Sequence, residues 1–207
     1  MQSENDARNC IVFDFETTGL SPSSGDRAIE IGAVRLESGV VVDKFQALMD
    51  PGVRIPPFIE DFTGIRNSML EGAQDAGSVM QDFAAWAGGR NLVAHNASFD
   101  HRFLVAELQR VGLRVRGEIA CSMLAARRLF QDAPDHKLGT LVARLSLPTD
   151  GTYHRALADA EMTAQLWLRE VQALQDRGVE RVLFATMMRL CRTSRSQVAD
   201  FVDRCRA

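Results

Sequence analysis

The sequence predicts an α/β fold built on a mixed sheet, and three observations carry that prediction. An apolar run, Cys10-Ile11-Val12-Phe13, ends in the acids Asp14 and Glu16. Two further strand patterns follow closely. From Ser78 onward, helical spacing alternates with short apolar runs, and strands first with alternating helices and strands afterwards is the layering of an α/β sheet.

Composition sets the outer bounds. A chain of 207 residues holds one well-buried core and is short for two ordinary domains. With 46% apolar and 25% charged residues it is neither a disordered nor a membrane composition. No apolar run approaches the ~20 residues a spanning helix needs. Met1–Asn9 is polar, unlike a secretory signal, so a cytoplasmic protein with no membrane partner is expected. Cys10, Cys121, Cys191 and Cys205 are scattered, with no C-x-x-C pair for zinc or redox chemistry. A net charge of -3 argues against bulk electrostatic capture of nucleic acid. Arginines nevertheless gather between His101 and Arg128 and again after Gln175, either as phosphate-facing surfaces or as solvated helix faces.

The elements follow in order. After the first strand, Leu20–Asp26 is rich in turn residues. Ala28–Leu36 alternates as a strand, and Val40–Met49 returns across Ser38-Gly39 as its hairpin partner. Pro51–Pro57 breaks the pattern. Ser68-Met69-Leu70-Glu71 has capping-box spacing for a short helix, and Ser78 is read as the cap of another, with Val79, Phe83 and Trp86 inward and Gly88-Gly89 as its stop. Asn91–His95 is a short buried strand, Ser98 caps a helix over Phe99–Val111, and Glu118–Met123 is one more strand. Helical spacing then covers Ser122–Phe130, Lys137–Leu145 and, longest of all, Ala156–Leu174. Val182–Cys191 and Ser196–Cys205, the latter with Ser196 as cap, are two short amphipathic helices, read as a packed extension.

Acids stand out against this frame. Alternate residues of a strand share a face, so Asp14 and Glu16 point the same way while Phe13 and Phe15 point the other. Two like charges at the end of a buried strand repel unless a cation lies between them, and a hard divalent metal bound through oxygen satisfies that need. Asp100 sits in the first turn after the buried strand, where either the helix dipole or membership of a metal site explains it. Ala156, Asp159, Ala160 and Thr163 form a helical stripe of small residues around one acid, which would press Asp159 against the sheet. His154 lies in the loop before that helix, and a histidine there can accept a proton from water. His95, His101 and His136 lack such a pattern and are read as structural.

D-x-E at Asp14 and Glu16, H-N-x-x-F-D at His95–Asp100 and H-x-x-x-x-D-A at His154–Ala160, in that order, resemble the DEDD-type 3'-5' exonucleases of the His-containing branch. That branch includes the proofreading subunit of bacterial replicative DNA polymerase and ribonuclease T. T-T-G-L at Thr17–Leu20 and T-G-I at Thr63–Ile65 strengthen the likeness, which spans about Asn9–Leu174.

The resemblance implies a ribonuclease-H-like fold: a five-stranded mixed sheet, its first three strands antiparallel, flanked by helices. It implies an exonuclease unit over 1–174 with a C-terminal helical extension, 175–207, packed on it. It implies that Asp14, Glu16, Asp100 and Asp159 hold two divalent ions, Mg2+ or Mn2+, with Asp14 shared between them, and that His154 takes the proton of the attacking water. The implied reaction releases nucleoside 5'-monophosphates from the 3' end of single-stranded nucleic acid, DNA favoured. Thr17, Thr18, Gly19, Leu20, Ile65, Asn96 and Phe99 are the substrate contacts it suggests, with core packing an equal reading for Phe99. The alternatives are a proofreading or accessory module docked on a DNA polymerase and an exonuclease of RNA or short oligonucleotides. Arg66-Asn67 departs from the family's usual loop, and the segment after Leu174 lacks a Gln-rich linker. The reading is therefore a stand-alone enzyme, with a second copy of the chain or a DNA polymerase subunit as the candidate protein partners.

Overall fold

The computed structural model of the chain describes residues 5–149, 151 and 154–206. Met1–Glu4, Asp150, Thr152, Tyr153 and Ala207 lie outside the described residues, and with them the outer ends of the units expected over 1–174 and 175–207. Among the described residues there are six strands: β1 (Cys10–Thr17), β2 (Ala28–Glu37), β3 (Val40–Asp50), β4 (Gln74–Asp75), β5 (Leu92–Ala94) and β6 (Ile119–Cys121). They form one sheet in the order β4-β3-β2-β1-β5-β6. β1, β2 and β3 run antiparallel in succession, whereas β5 joins β1 in parallel and β6 joins β5 in parallel. Five strands were expected. The sixth, β4, has two residues that pair with Met49 and Asp50 of β3, too few to leave any periodicity in the sequence.

The helices are α1 (Pro57–Thr63), α2 (Asn67–Leu70), α3 (Ala76–Ala87), α4 (Ser98–Arg110), α5 (Ser122–Leu129), α6 (Leu138–Arg144), α7 (Ala156–Gln175), α8 (Phe184–Arg192) and α9 (Val198–Arg206). Side-chain alternation along β1 divides them between the two faces of the sheet. Ile11, Phe13 and Phe15 pack with Val79, Met80 and Phe83 of α3 and Phe103 and Leu104 of α4. Cys10 and Val12 pack with Trp167, Val171 and Leu174 of α7. The same cluster takes in Met187 and Leu190 of α8 and Phe201 and Val202 of α9. Trp167 donates its Nε1–H to the Ala7 carbonyl at 2.7 Å, so its one polar atom is satisfied inside the core.

Local chemistry corrects several boundaries. The break expected at Pro51–Pro57 is there over 51–56, and a helix that was not expected, α1, starts at its last residue, because a proline at the first helical position needs no N–H partner; Gly64, at φ 71°, closes the helix. Ser78 is not the cap of α3. Asp75 is, its carboxylate accepting from the N–H groups of Gly77 and Ser78. Ser98 is the first residue of α4 and makes no cap bond. Ser196 lies in a short 3-10 turn, Arg195–Gln197, ahead of α9.

Gly32 on β2 sets how near α7 comes to the sheet. A Cβ there would lie 2.0 Å from the backbone nitrogen of Leu157 and 2.2 Å from the Ala156 carbonyl carbon. Glycine thus lets the first turn of α7 rest directly on β2, and Gly32 is the register partner of Asp14 on β1. No helix among the described residues is long and apolar enough to cross a membrane.

Candidate active site

The alternation that sends Phe13 and Phe15 to the α3 and α4 face sends Asp14 and Glu16 to the α7 face. α7 arrives there with its small residues inward: Ala156 and Ala160 are fully buried, and Asp159 lies between them. One carboxylate oxygen from each of Asp14, Glu16 and Asp159 falls within 4.8 Å of the others, the spacing of a candidate metal site. All three donors are carboxylate oxygens, which suit hard cations such as Mg2+ or Mn2+ better than zinc or copper.

Asp100 enters from α4. It is 2% exposed, and its Oδ1 accepts the backbone N–H of Phe15 at 3.2 Å, which ties the first turn of α4 to β1. It lies outside the tight group of three, while its charge still acts on Asp14 and Glu16. The other end of α4 is fixed by Glu107, 1% exposed, which takes a bidentate ion pair from Arg27 at 2.7 and 2.9 Å.

Electrostatics show what the cluster lacks. Burial pushes Glu16 up to about 8, with the charges of Asp159, Glu30 and Asp100 adding to it and Arg155 opposing. Burial likewise lifts Asp100 to about 7, against the Phe15 N–H that holds it down. Asp14 is raised well above the carboxylate range by burial and by the charges of four acidic neighbours, Asp100 foremost, then Asp159, Glu16 and Glu30, and Asp159 is raised by burial. Four carboxyls that resist ionising together are a donor set suited to a cation.

His154 is exposed, in the left-handed region at φ 58°. Its N–H donates to Asp159 Oδ2 at 3.1 Å, and its ring lies 4.2 Å from that of Phe62 on α1. Phe58 stacks on Phe62 in turn, at 6.0 Å and 15°.

The substrate contacts suggested by sequence separate into two groups. Leu20 is 78% exposed, Asn96 is exposed at φ 65°, and Phe99 is half-buried against Phe103 with Arg102 over its ring. Thr17 and Thr18 are buried and hold the turn after β1: Thr17 Oγ1 donates to the Gly19 carbonyl at 2.7 Å, and Thr18 Oγ1 accepts from the Arg27 N–H. Gly19 is pressed against the Asp26 carboxylate, 2.5 Å from where a Cβ would be. Ile65 is a correction. It is fully buried among Ile29, Ile55 and Leu70, so its side chain offers no surface to a substrate. His95 bridges Ser122 Oγ and the His136 carbonyl, and burial lowers it to about 4, the structural role read from sequence.

Sequence reasoning missed four residues here. Glu30 left a signal, an acid between Ile29 and Ile31 in a buried strand, and Arg155 stood beside the singled-out histidine. Phe58 and Phe62 left none, because an exposed aromatic on a short helix looks like a core residue until the fold is known.

Comparison with known proteins agrees with this geometry. The RNase_T exonuclease family model matches residues 11–167. The PolC-type DNA polymerase III of Caldanaerobacter subterraneus subsp. tengcongensis is 37% identical over 172 residues, 83% of this chain and 12% of that protein. The PolC-type enzyme of Bacillus subtilis is 35% identical over 172 residues, 82% of this chain and 12% of its own length. The chain thus spans about an eighth of these curated relatives. The structure of exonuclease X in complex with 5' overhanging duplex DNA superposes with a TM-score of 0.67 at 25% identity, covering 93% of this chain and 98% of that one. The nuclease domain of 3'hExo, a DEDDh family member bound to rAMP, gives 0.70 at 20% identity, covering 86% and 98%. The matched region holds the whole acidic cluster and His154, and the chain belongs to the RNase_T exonuclease family.

Proposed function

We propose that this exonuclease works from the 3' end of single-stranded nucleic acid, DNA favoured, and releases nucleoside 5'-monophosphates. The observation that carries the reading is the meeting of Asp14, Glu16 and Asp159 within 4.8 Å, with His154 hydrogen-bonded through its backbone to the third of them. Asp14, Glu16, Asp159 and Asp100 hold two Mg2+ or Mn2+ ions, which when bound supply Lewis-acid stabilisation of charge at the phosphate. His154 accepts the proton of the attacking water, and its contact with Phe62 steadies the imidazole. The exposed side chains of Leu20, Phe58 and Phe62 favour an unpaired strand, since splayed bases stack on apolar surfaces that a duplex cannot reach. Residues 1–174 form the catalytic unit, and α8 and α9 pack with α7 against the same face of its sheet.

The test is release of labelled monophosphate from a panel of 3'-labelled single- and double-stranded DNA, RNA and dinucleotides with Mg2+ or Mn2+. His154→Ala should lower kcat about 10²- to 10⁴-fold without unfolding the protein. Unchanged turnover would remove His154 from its role, and release from the 5' end would overturn the direction. A second reading, a module docked on a DNA polymerase, is favoured by the PolC-type relatives, which carry the matching segment within a longer protein. Co-purification with a polymerase subunit supports it, whereas a lone monomer or homodimer with full activity supports a stand-alone enzyme.

A further inference from the structure

Glu30 is an acid that the metal-binding reading does not use. It is fully buried on β2, directly across from Glu16 in the β1–β2 register, so two carboxylates stand side by side on the α7 face. Its oxygens, however, are already committed. Oε1 accepts from Arg155 Nη2 at 2.7 Å and from Gln46 Nε2 at 3.0 Å. Oε2 accepts from Arg155 Nε and from the Ala156 backbone N–H, both at 3.1 Å. A carboxylate filled by a guanidinium fork, an amide and a backbone donor has little left to offer a metal.

The Ala156 bond identifies what Glu30 does for the chain. Helices begin with backbone N–H groups that need acceptors, and the residue before α7, Arg155, supplies no cap from its own side chain. Glu30 caps α7 from the neighbouring sheet instead, and the Arg155 fork grips the same carboxylate. His154 is the next residue along. It has Arg155 anchored to the buried Glu30 on one side and its own N–H held by Asp159 on the other, which fixes a left-handed backbone that a non-glycine residue seldom adopts.

We propose that Glu30 and Arg155 act together as positioning residues for His154, holding the loop so that the imidazole stays over the acidic cluster. This rests on the role given to His154 above. A merely structural ion pair would cost stability when broken and leave the turnover of folded protein alone. A positioning pair would lower kcat, and only while His154 is present to be positioned.

A double-mutant cycle on the full chain separates the two, with kcat and KM measured on a 3'-labelled single strand at saturating Mg2+. Arg155→Met should lower kcat about tenfold or more with KM nearly unchanged, the size expected for a reactive group displaced by less than 1 Å. In the His154→Ala background the same substitution should add less than about twofold, because residues that act through one another are not additive. Arg155→Lys, which keeps the charge but loses the fork, should recover only part of the loss. Should Arg155→Met fail to fold, Glu30→Gln, which retains an acceptor for Ala156, carries the same cycle. Without metal or substrate, the NMR signals of the His154 imidazole should shift in either variant while those of His95 stay in place. Undiminished kcat, an equal loss with and without His154, or an unmoved His154 signal overturns the proposal. If His154→Ala alone leaves kcat intact, the general-base reading fails instead, and the imidazole signal still decides whether the pair positions the loop.

Discussion

Adding one methyl group at Gly32 tests the link between packing and chemistry most directly. The Cβ of a Gly32→Ala variant would meet the Leu157 nitrogen at 2.0 Å and its Cα at 2.4 Å, both backbone atoms of a 20-residue helix that cannot rotate aside. Reaching an ordinary contact of 3.4 Å requires α7 to lift from the sheet by about 1.4 Å at its first turn. Overpacking of this kind costs about 1–3 kcal/mol, and a chain of this length loses about 2–4 °C in melting temperature per kcal/mol. The functional loss should be larger. Asp159 lies in the lifted turn, so its oxygen leaves the 4.8 Å group, and a misplacement of about 1 Å is worth about 10²-fold in rate. The assay compares urea unfolding, the Mn2+ concentration that half-saturates activity, and kcat on a 3'-labelled strand. Gly72→Ala is the control, since nothing lies within 4 Å of a Cβ there and no left-handed backbone is required. A Gly32→Ala protein that keeps wild-type kcat and metal requirement would refute the claim that close approach of α7 assembles the site.

Three other outcomes follow from the same geometry. Divalent ions should raise the melting temperature, by about 2.7 kcal/mol of stability at a hundredfold excess over Kd, and Asp14→Asn should abolish that gain in a thermal-shift titration while itself stabilising the metal-free protein. Metal-free protein should also lose stability as pH rises. Glu16 and Asp100 are lifted to about 8 and about 7 in the fold, so the native state keeps protons that the unfolded chain releases near pH 4; stability is full below that point and declines up to about pH 8, as urea midpoints across pH should show, and saturating Mg2+ should flatten the slope. Glu170 offers a purely structural case: both carboxylate oxygens of this α7 residue are buried without a hydrogen-bond partner among the described residues, and burial keeps the group well above the carboxylate range. Glu170→Met should therefore stabilise the protein by about 1–3 kcal/mol and leave kcat alone, and a destabilised variant in a urea titration would show that the carboxyl has a hidden partner.

Much of the site was legible before the fold, because strand alternation and helical spacing are local rules. Period two put Asp14 and Glu16 on one face opposite Phe13 and Phe15, and the alanines around Asp159 announced a helix lying close to its neighbour. Helix starts were read less well. Ser78 and Ser98 satisfy the pattern of a cap, but which residue precedes the first helical turn depends on where the chain comes from: extended Asp75 holds that place for α3 and helical Ala97, with no side-chain cap, for α4.

Contacts between distant segments carried no local signature at all. Glu30 and Ala156 are 126 residues apart, and only the antiparallel register of β1 and β2, with Gly32 beneath α7, brings the carboxylate to that N–H. The same holds for Phe62 against His154 and for Ile65, suggested as a substrate contact while its side chain turned inward. Residue types and their periods therefore announced which groups carry the chemistry and which face they share. Which carboxylates become mutual neighbours, which acid is neutralised by an arginine and which aromatic stays exposed were settled by packing, because those depend on pairs of elements whose separation along the chain leaves no periodic trace.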